Sequence, residues 1–392
     1  MSDVSLTLEK VEKQSLFEIV FCMSWAAVVL YMFIWPVTYN ETLMQLIWMP
    51  TIVVIVLASL PKRLSYRLMF TISIPSIILI VSIVAQDGSR NLTHCYSAFS
   101  YIGMLLLISA CVKIRPVKRT FDFIFYSNVF LALLFTVYSF TPIANRVHSH
   151  GKIWQSAYFV FDLGNSNLAA MILFPFFCIL IINLSYRKYR LPLFILAVYL
   201  FYLIYRTNCR SVIFSALLVV FAYIFVGRRK IPKLIVILAT LFPTFFAVGY
   251  LVLFRHYDGE QIQIMDKSFF SGRQNVYMYY LNLVSNWWQA LFGNFADAGL
   301  NNAHNIILSV FTSVGLVGLI CFYSFYLYII GDMNRKETTS IRTITIICIL
   351  AMFVQASAEA ACFLGGFPGI MSISSFVLIS NYTDYTFRSI EK

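Results

Sequence analysis

Apolar residues in this chain run in long blocks instead of alternating with polar ones. Stretches of roughly 17–25 residues with almost no charge recur along the whole length, and about 20 apolar residues is what an α-helix needs to cross a hydrocarbon core. The blocks lie at approximately 17–35, 44–60, 68–86, 95–112, 121–140, 164–184, 191–205, 211–226, 232–253, 305–330, 343–361 and 367–382. They predict an all-α, polytopic membrane protein of about twelve transmembrane helices, read as a single integral membrane domain over 1–392. The first block follows a polar stretch and has no small-residue cleavage site, so it is expected to stay as an uncleaved helix.

Two segments interrupt the tight connections. Residues 141–163 form a moderate loop with His148, His150, Lys152 and Trp154. Residues 254–304 form one large loop between the ninth and tenth blocks, and a loop of that size among tight turns is commonly functional. Within it, 273–292 puts Val276, Tyr280, Leu283, Trp287 and Leu291 at helical spacing. That spacing predicts one amphipathic helix on the outer leaflet or over the bundle, able to act as a lid or lipid-substrate guide.

Charge gives the blocks a direction. The chain is 60% hydrophobic and 12% charged, with mean hydropathy +0.79, far from a soluble composition. Its net charge of +12 sits in short clusters such as KIRPVKR (113–119) and GRRKIPK (227–233). This is the pattern of loops facing anionic lipid, and it argues against a nucleic-acid partner. If every second connection shares a side, 21 of the 29 Lys and Arg fall on the side of both termini. The expectation is therefore a plasma (inner) membrane protein with cytoplasmic termini and a reaction site on the periplasmic or outer face. The eight cysteines form no CxxC pair and lie mostly in apolar blocks, so they read as core residues.

The cations on the other side are Arg90, Arg146, Lys152, Arg206, Arg210, Arg255, Lys267 and Arg273. Arg206 and Arg210 flank the short turn YRTNCRS, with Arg210 opening the eighth block. A guanidinium grips phosphate oxygens with a planar fork of donors; the alternative is that these side chains snorkel to lipid phosphates. His304 opens the tenth block directly after the large loop, in AHNIILSVFTSVGLVGL (303–319). A histidine there suits a general base, and equally a capping role. Gly315 and Gly318 would admit a close helix neighbour. Glu359, placed by this reading in the eleventh helix one turn beyond Gln355, is an intramembrane acid and therefore functional or paired, with Arg210 as a candidate partner.

The spacing His304-Asn305, nine residues, Gly315, two residues, Gly318 resembles the signature of the O-antigen ligase and O-antigen (Wzy-type) polymerase superfamily. SGRQNVY (271–277), LFGN (291–294), the Arg in CRSVIF (209–214) and the large loop before the His helix resemble that family too. The resemblance implies a GT-C-like membrane glycosyltransferase whose donor is an undecaprenyl-diphosphate-linked glycan. It makes His304 the base on the acceptor hydroxyl and gives Arg210 and Arg273 the donor diphosphate. Arg206, Asn305, Glu359, Asn165 and Asn167 are the candidate substrate-binding residues. An inverting displacement of this kind requires neither metal nor cofactor, and no cluster of carboxylates suggests one.

There are departures. Phe214 stands where ligases of the family often carry Leu, and the large loop is short for a ligase. FDLGNSNLAAM (161–171) resembles a segment of polysaccharide polymerases. The expectation is a polymerase joining lipid-linked repeat units, with a chain-length regulator as a further partner. The alternative is a ligase transferring glycan to lipid A–core. A polysaccharide-lipid transporter is a remote rival, because the polar set gathers at one surface and not at the midplane. A peptidoglycan polymerase relying on Asp258, Asp266 or Asp297 is another.

Overall fold

The computed structural model describes residues 15–34, 65–85, 91–141, 145–146, 158–159, 166–185, 190–226, 229–256, 263–264, 267–268, 273–300, 303–336, 338–359, 363–364 and 367–382. Among these the chain is almost entirely helical: α1 Leu16–Ile34, α2 Tyr66–Val84, α3 Asn91–Cys111, α4 Lys118–Tyr138, α5 Ser166–Leu184, α6 Arg190–Arg206, α7 Arg210–Phe225 and α8 Lys233–His256. The large loop follows with α9 Arg273–Asn282, α10 Trp287–Phe292 and α11 Phe295–Ala298, and the chain continues as α12 Ile306–Arg335, α13 Ser340–Ala356 and α14 Phe367–Ser380. There are two short antiparallel pairs among the described residues, β1 (Asn145–Arg146) with β2 (Tyr158–Phe159) and β3 (Gln263–Ile264) with β4 (Lys267–Ser268). Among the described residues five helices are long and apolar enough to cross a membrane: α2, α3, α4, α8 and α12. The expected segment at 44–60 lies outside the described residues.

Burial divides the helices into an inner and an outer set. Ala169–Leu184 of α5 and Met371–Ser380 of α14 are buried on all sides, and α13 nearly so. A helix that is apolar all round must sit inside others. Around this centre, α2, α4, α6, α7 and α8 expose large apolar side chains, among them Phe70, Val84, Val137, Ile195, Phe221, Leu234 and Val248. Water would not tolerate so continuous an apolar belt, and hydrocarbon does. Two buried hydroxyls are satisfied within their own helices: Ser109 donates to the Leu105 carbonyl at 2.7 Å and Thr240 to that of Val236 at 2.7 Å.

One end of the bundle is tied by side-chain bonds between connections. Asn381 donates to the carbonyls of Cys111 and Val112 at 2.9 and 3.0 Å, Lys336 donates to Asn381 at 2.8 Å, and Thr343 donates to the Arg229 carbonyl at 3.2 Å. These connections belong to the cation-rich set.

At the other end the large loop does not form one amphipathic helix. It breaks after Asn282 because Asn286 caps a new helix, accepting from Gln289 N at 2.9 Å, while Gln289 reaches back to Ser285 N at 2.8 Å. Residues 287–300 then seat against a break in α12. Gly315 takes φ 69°, ψ −171°, which interrupts the helix, and the freed Thr312 carbonyl accepts from Asn294 N at 2.7 Å. A Cβ on Gly315 would lie 2.3 Å from the Leu291 carbonyl, and one on Gly293 2.2 Å from that of Ser313. The sequence reading took Gly315 and Gly318 as a surface for a neighbouring helix. Instead, Gly315 is a backbone-on-backbone contact with the loop, and Gly318 faces Val314 of its own helix.

Candidate functional site

The N-terminal ends of four helices meet at one polar cavity of about 150 Å³. Asn167 comes from the first turn of α5, Arg210 and Ser211 open α7, Arg273 opens α9, and His304 precedes α12. Asn208 and Cys209, from the turn before α7, complete that wall. Each helix N-terminus presents backbone N–H groups and the positive end of its dipole, so the cavity is electropositive before any side chain is counted. Arg210 and Arg273 add two guanidiniums close enough to repel each other.

The countercharge is Glu359. Its side chain is only 2% exposed, and it holds three groups at once. Oε1 accepts from Asn167 Nδ2 at 2.9 Å and from Arg273 Nη2 at 3.2 Å; Oε2 lies 3.0 Å from His304 Nδ1. The sequence reading put Glu359 within the eleventh helix facing Arg210. The helix in fact ends at Ala356, and the following turn carries the carboxylate to Arg273 and His304 instead. With a carboxylate on Nδ1, the imidazole keeps its proton there and leaves Nε2 as the basic nitrogen.

His304 has φ 55° and Asn208 φ 52°, the non-glycine residues with positive φ among those described. Both line the cavity. A histidine in the left-handed region costs about 1–2 kcal/mol and persists where its surroundings enforce it. Here Asn305 does so. It is fully buried, and its amide oxygen caps α12 through Ile307 N at 2.9 Å and Leu308 N at 3.3 Å. Its amide nitrogen donates to the carbonyls of Ser357 at 2.9 Å and Pro243 at 3.1 Å. The Tyr277 hydroxyl donates toward the carbonyls of His304 at 3.4 Å and Ser357 at 3.3 Å, locking the same turn from α9.

No protein-family model, curated protein or solved structure matches this chain. The chemistry therefore rests on the residues themselves. Of the expected site residues, His304, Arg210, Arg273, Glu359 and Asn167 converge on the cavity. Asn305 does not bind there, because all its hydrogen-bonding capacity is spent between α12, α8 and the Ser357 turn. Arg206 is likewise outside the lining: its guanidinium lies on Tyr202 of its own helix, 3.1 Å from the hydroxyl. Asn165 falls outside the described residues.

Asn208, Cys209, Ser211 and Tyr277 were missed. The pattern YRTNCRS marked Asn208 as a turn residue, and Tyr277 closes the segment SGRQNVY, but nothing there assigned its hydroxyl a partner. At Cys209 burial, reinforced by the charge of Glu359, pushes the thiol up, which favours its neutral form. The site therefore brings together one imidazole, a buried carboxylate behind it, and two guanidiniums at converging helix N-termini.

Proposed function

We propose that this chain is a membrane glycosyltransferase that joins oligosaccharide units from an undecaprenyl-diphosphate-linked donor, in the manner of an O-antigen polymerase. The observation that carries the reading is that a carboxylate-oriented histidine shares a 150 Å³ cavity with Arg210 and Arg273. Two like charges in one cavity, each opening a helix, suit a ligand bearing more than one negative charge, as a diphosphate does. The cavity is smaller than a typical whole-ligand pocket of roughly 300–1,000 Å³, so only the reacting ends of donor and acceptor enter it.

In this reading the acceptor hydroxyl oxygen attacks the anomeric carbon of the donor sugar, and its proton passes to His304 Nε2. The bond from the anomeric carbon to the diphosphate oxygen breaks with its electron pair. Arg210 and Arg273 stabilise the charge that gathers on the departing lipid diphosphate, the kind of interaction that usually contributes most to catalysis. Attack opposite the leaving group inverts the anomeric centre. Glu359 keeps the imidazole oriented and favours the imidazolium as it forms. The reading includes about twelve spans in a GT-C-like bundle, cytoplasmic termini, and the cavity on the outer face of the plasma membrane. The acceptor is a second lipid-linked repeat unit.

The experiment is a gel of surface polysaccharide from cells lacking the protein, complemented with wild type or His304→Ala. A ladder that collapses to core plus one repeat, restored only by wild type, supports the polymerase. Core without any repeat, with long lipid-linked polymer accumulating, would assign ligase activity instead. An unchanged ladder would refute both.

A further inference from the structure

A second cavity lies at the opposite end of α7 from the polar one. Its volume is about 470 Å³ and its walls are almost wholly apolar. The reason it exists is a departure from ordinary helix pairing. Helices α7 and α8 are joined by the short connection 226–232, and such neighbours usually pack along each other. Among the described residues they lean instead on α13, one to each side, and leave a cleft between them. Leu218 and Ala222 form one wall, Ile235 and Ala239 the other, and Ile347 and Val354 the floor. From Ile347 to Val354 the floor runs for about 10 Å at the α-helical rise.

The mouth of the cleft is cationic. Arg229 and Lys230 line it, both exposed, and the connection 227–233 carries four Lys and Arg with no acid. The backbone at 229–231 is held from two sides: the Arg229 carbonyl accepts from Thr343 at 3.2 Å, and the Ile231 carbonyl accepts from Asn334 at 2.8 Å. The two cations therefore have anchored backbones at the rim of an apolar slot that opens between two lipid-facing helices. A ligand that fits must be apolar over its inserted length and anionic at its head. The lipid surrounding the protein meets that description where its headgroup is a phosphodiester without a compensating cation.

The geometry points to a resident anionic glycerophospholipid, with one acyl chain between α7 and α8 over α13 and its phosphate on Arg229 and Lys230. It occupies the leaflet opposite the polar cavity, since Arg210 and the Arg229–Lys230 rim lie at opposite ends of α7, a helix about 24 Å long. The site stands whether or not the transferase reading does.

The test is native mass spectrometry of the delipidated full chain titrated with phosphatidylglycerol, with phosphatidylcholine and soluble glycerol phosphate as comparison probes. Wild type is expected to retain one phosphatidylglycerol, at least ten-fold more tightly than phosphatidylcholine, and glycerol phosphate should not displace it. Ala222→Trp, which fills the slot, should lose the lipid, while Val248→Trp on the exposed face of α8 should keep it. Arg229→Gln with Lys230→Gln lies on the surface and needs no repacking; it should bind both lipids alike. Equal retention of the two lipids by wild type, undiminished binding in Ala222→Trp, or displacement by glycerol phosphate would each overturn the proposal. Unchanged preference in the Arg229 and Lys230 double variant would do the same.

Discussion

Glu359 Oε2 lies 3.0 Å from His304 Nδ1, an ion-pair distance between residues 55 positions apart. The same carboxylate holds Arg273 through its other oxygen, so one buried acid sets the position of both the imidazole and a guanidinium of the cavity. Replacing it separates orientation from charge. Glu359→Gln preserves volume and is expected to lower kcat by about 100- to 10,000-fold with KM little altered. Glu359→Ala should in addition unfold at lower temperature, because Asn167 and Arg273 lose the acceptor they share. Steady-state transfer kinetics and thermal unfolding in detergent check the pair; a Gln variant with wild-type kcat would remove the positioning role.

His304 combines a chemical role with an unfavourable backbone. Both His304→Ala and His304→Gly should abolish transfer. Glycine occupies φ 55° without the penalty of a Cβ, so the Gly variant should be the more stable of the two by about 1 kcal/mol. Comparing their unfolding midpoints tests this, and a more stable Ala variant would show that the turn relaxes when the imidazole is gone.

Arg273 is used as a fork, with one arm toward Glu359 and the guanidinium on the cavity. Arg273→Lys keeps the charge yet should lose at least about 100-fold in kcat/KM, because an ammonium cannot span two oxygens. Arg210→Lys should behave similarly, and the double variant should be less impaired than the product of the two single losses if both grip one diphosphate. Full activity in Arg273→Lys would return this residue to lipid snorkelling.

The loop and the broken helix depend on two glycines. Gly315→Ala and Gly293→Ala would each drive a Cβ to within 2.3 Å of backbone at positive φ, so each should destabilise the protein by about 3 kcal/mol or more. Limited proteolysis should then cut within 283–300. Gly249→Ala and Gly331→Ala meet nothing within 4 Å, lie in helices, and should be neutral or stabilising by up to about 1 kcal/mol.

Tyr277 gives a pH prediction. Burial pushes its phenol well above its ordinary value of 10, against the lowering pull of Arg273. The folded state therefore keeps a proton that the unfolded chain releases above pH 10, so this contribution is complete below pH 10 and declines as pH rises beyond it. Tyr277→Phe should be less stable than wild type near neutrality by about 1 kcal/mol and should lose less stability between pH 10 and 12. Unfolding midpoints across that range decide it; parallel curves for the two proteins would refute it.

Local pattern carried much of this architecture. Apolar blocks mark helices wherever the chain is described, because an apolar run in hydrocarbon has to satisfy its backbone internally. His304 and Arg210 stood out at the ends of such blocks and Arg273 within the large loop, each a base or cation on the side poorer in Lys and Arg. The divided loop helix was less legible: Asn286 is an ordinary cap, but helical spacing continues through it, and periodicity outvoted the cap. Gly315 was visible as a glycine but not as a break, since the same residue serves close helix packing and positive φ equally well.

The amino-acid sequence by itself determined the helices, their apolar character, the segregation of cations, and which few residues could do acid–base or phosphate chemistry. These follow from composition and spacing along one chain, where the physics is local. Only the tertiary structure decided that Glu359 belongs to His304 and Arg273, that Asn305 and Tyr277 hold the turn, and that α7 and α8 part over α13. Those relationships join residues tens to nearly two hundred positions apart, up to Asn167 and Glu359. They are set by how buried polar groups find partners once the helices have packed, a condition on the whole bundle that no stretch of sequence carries alone.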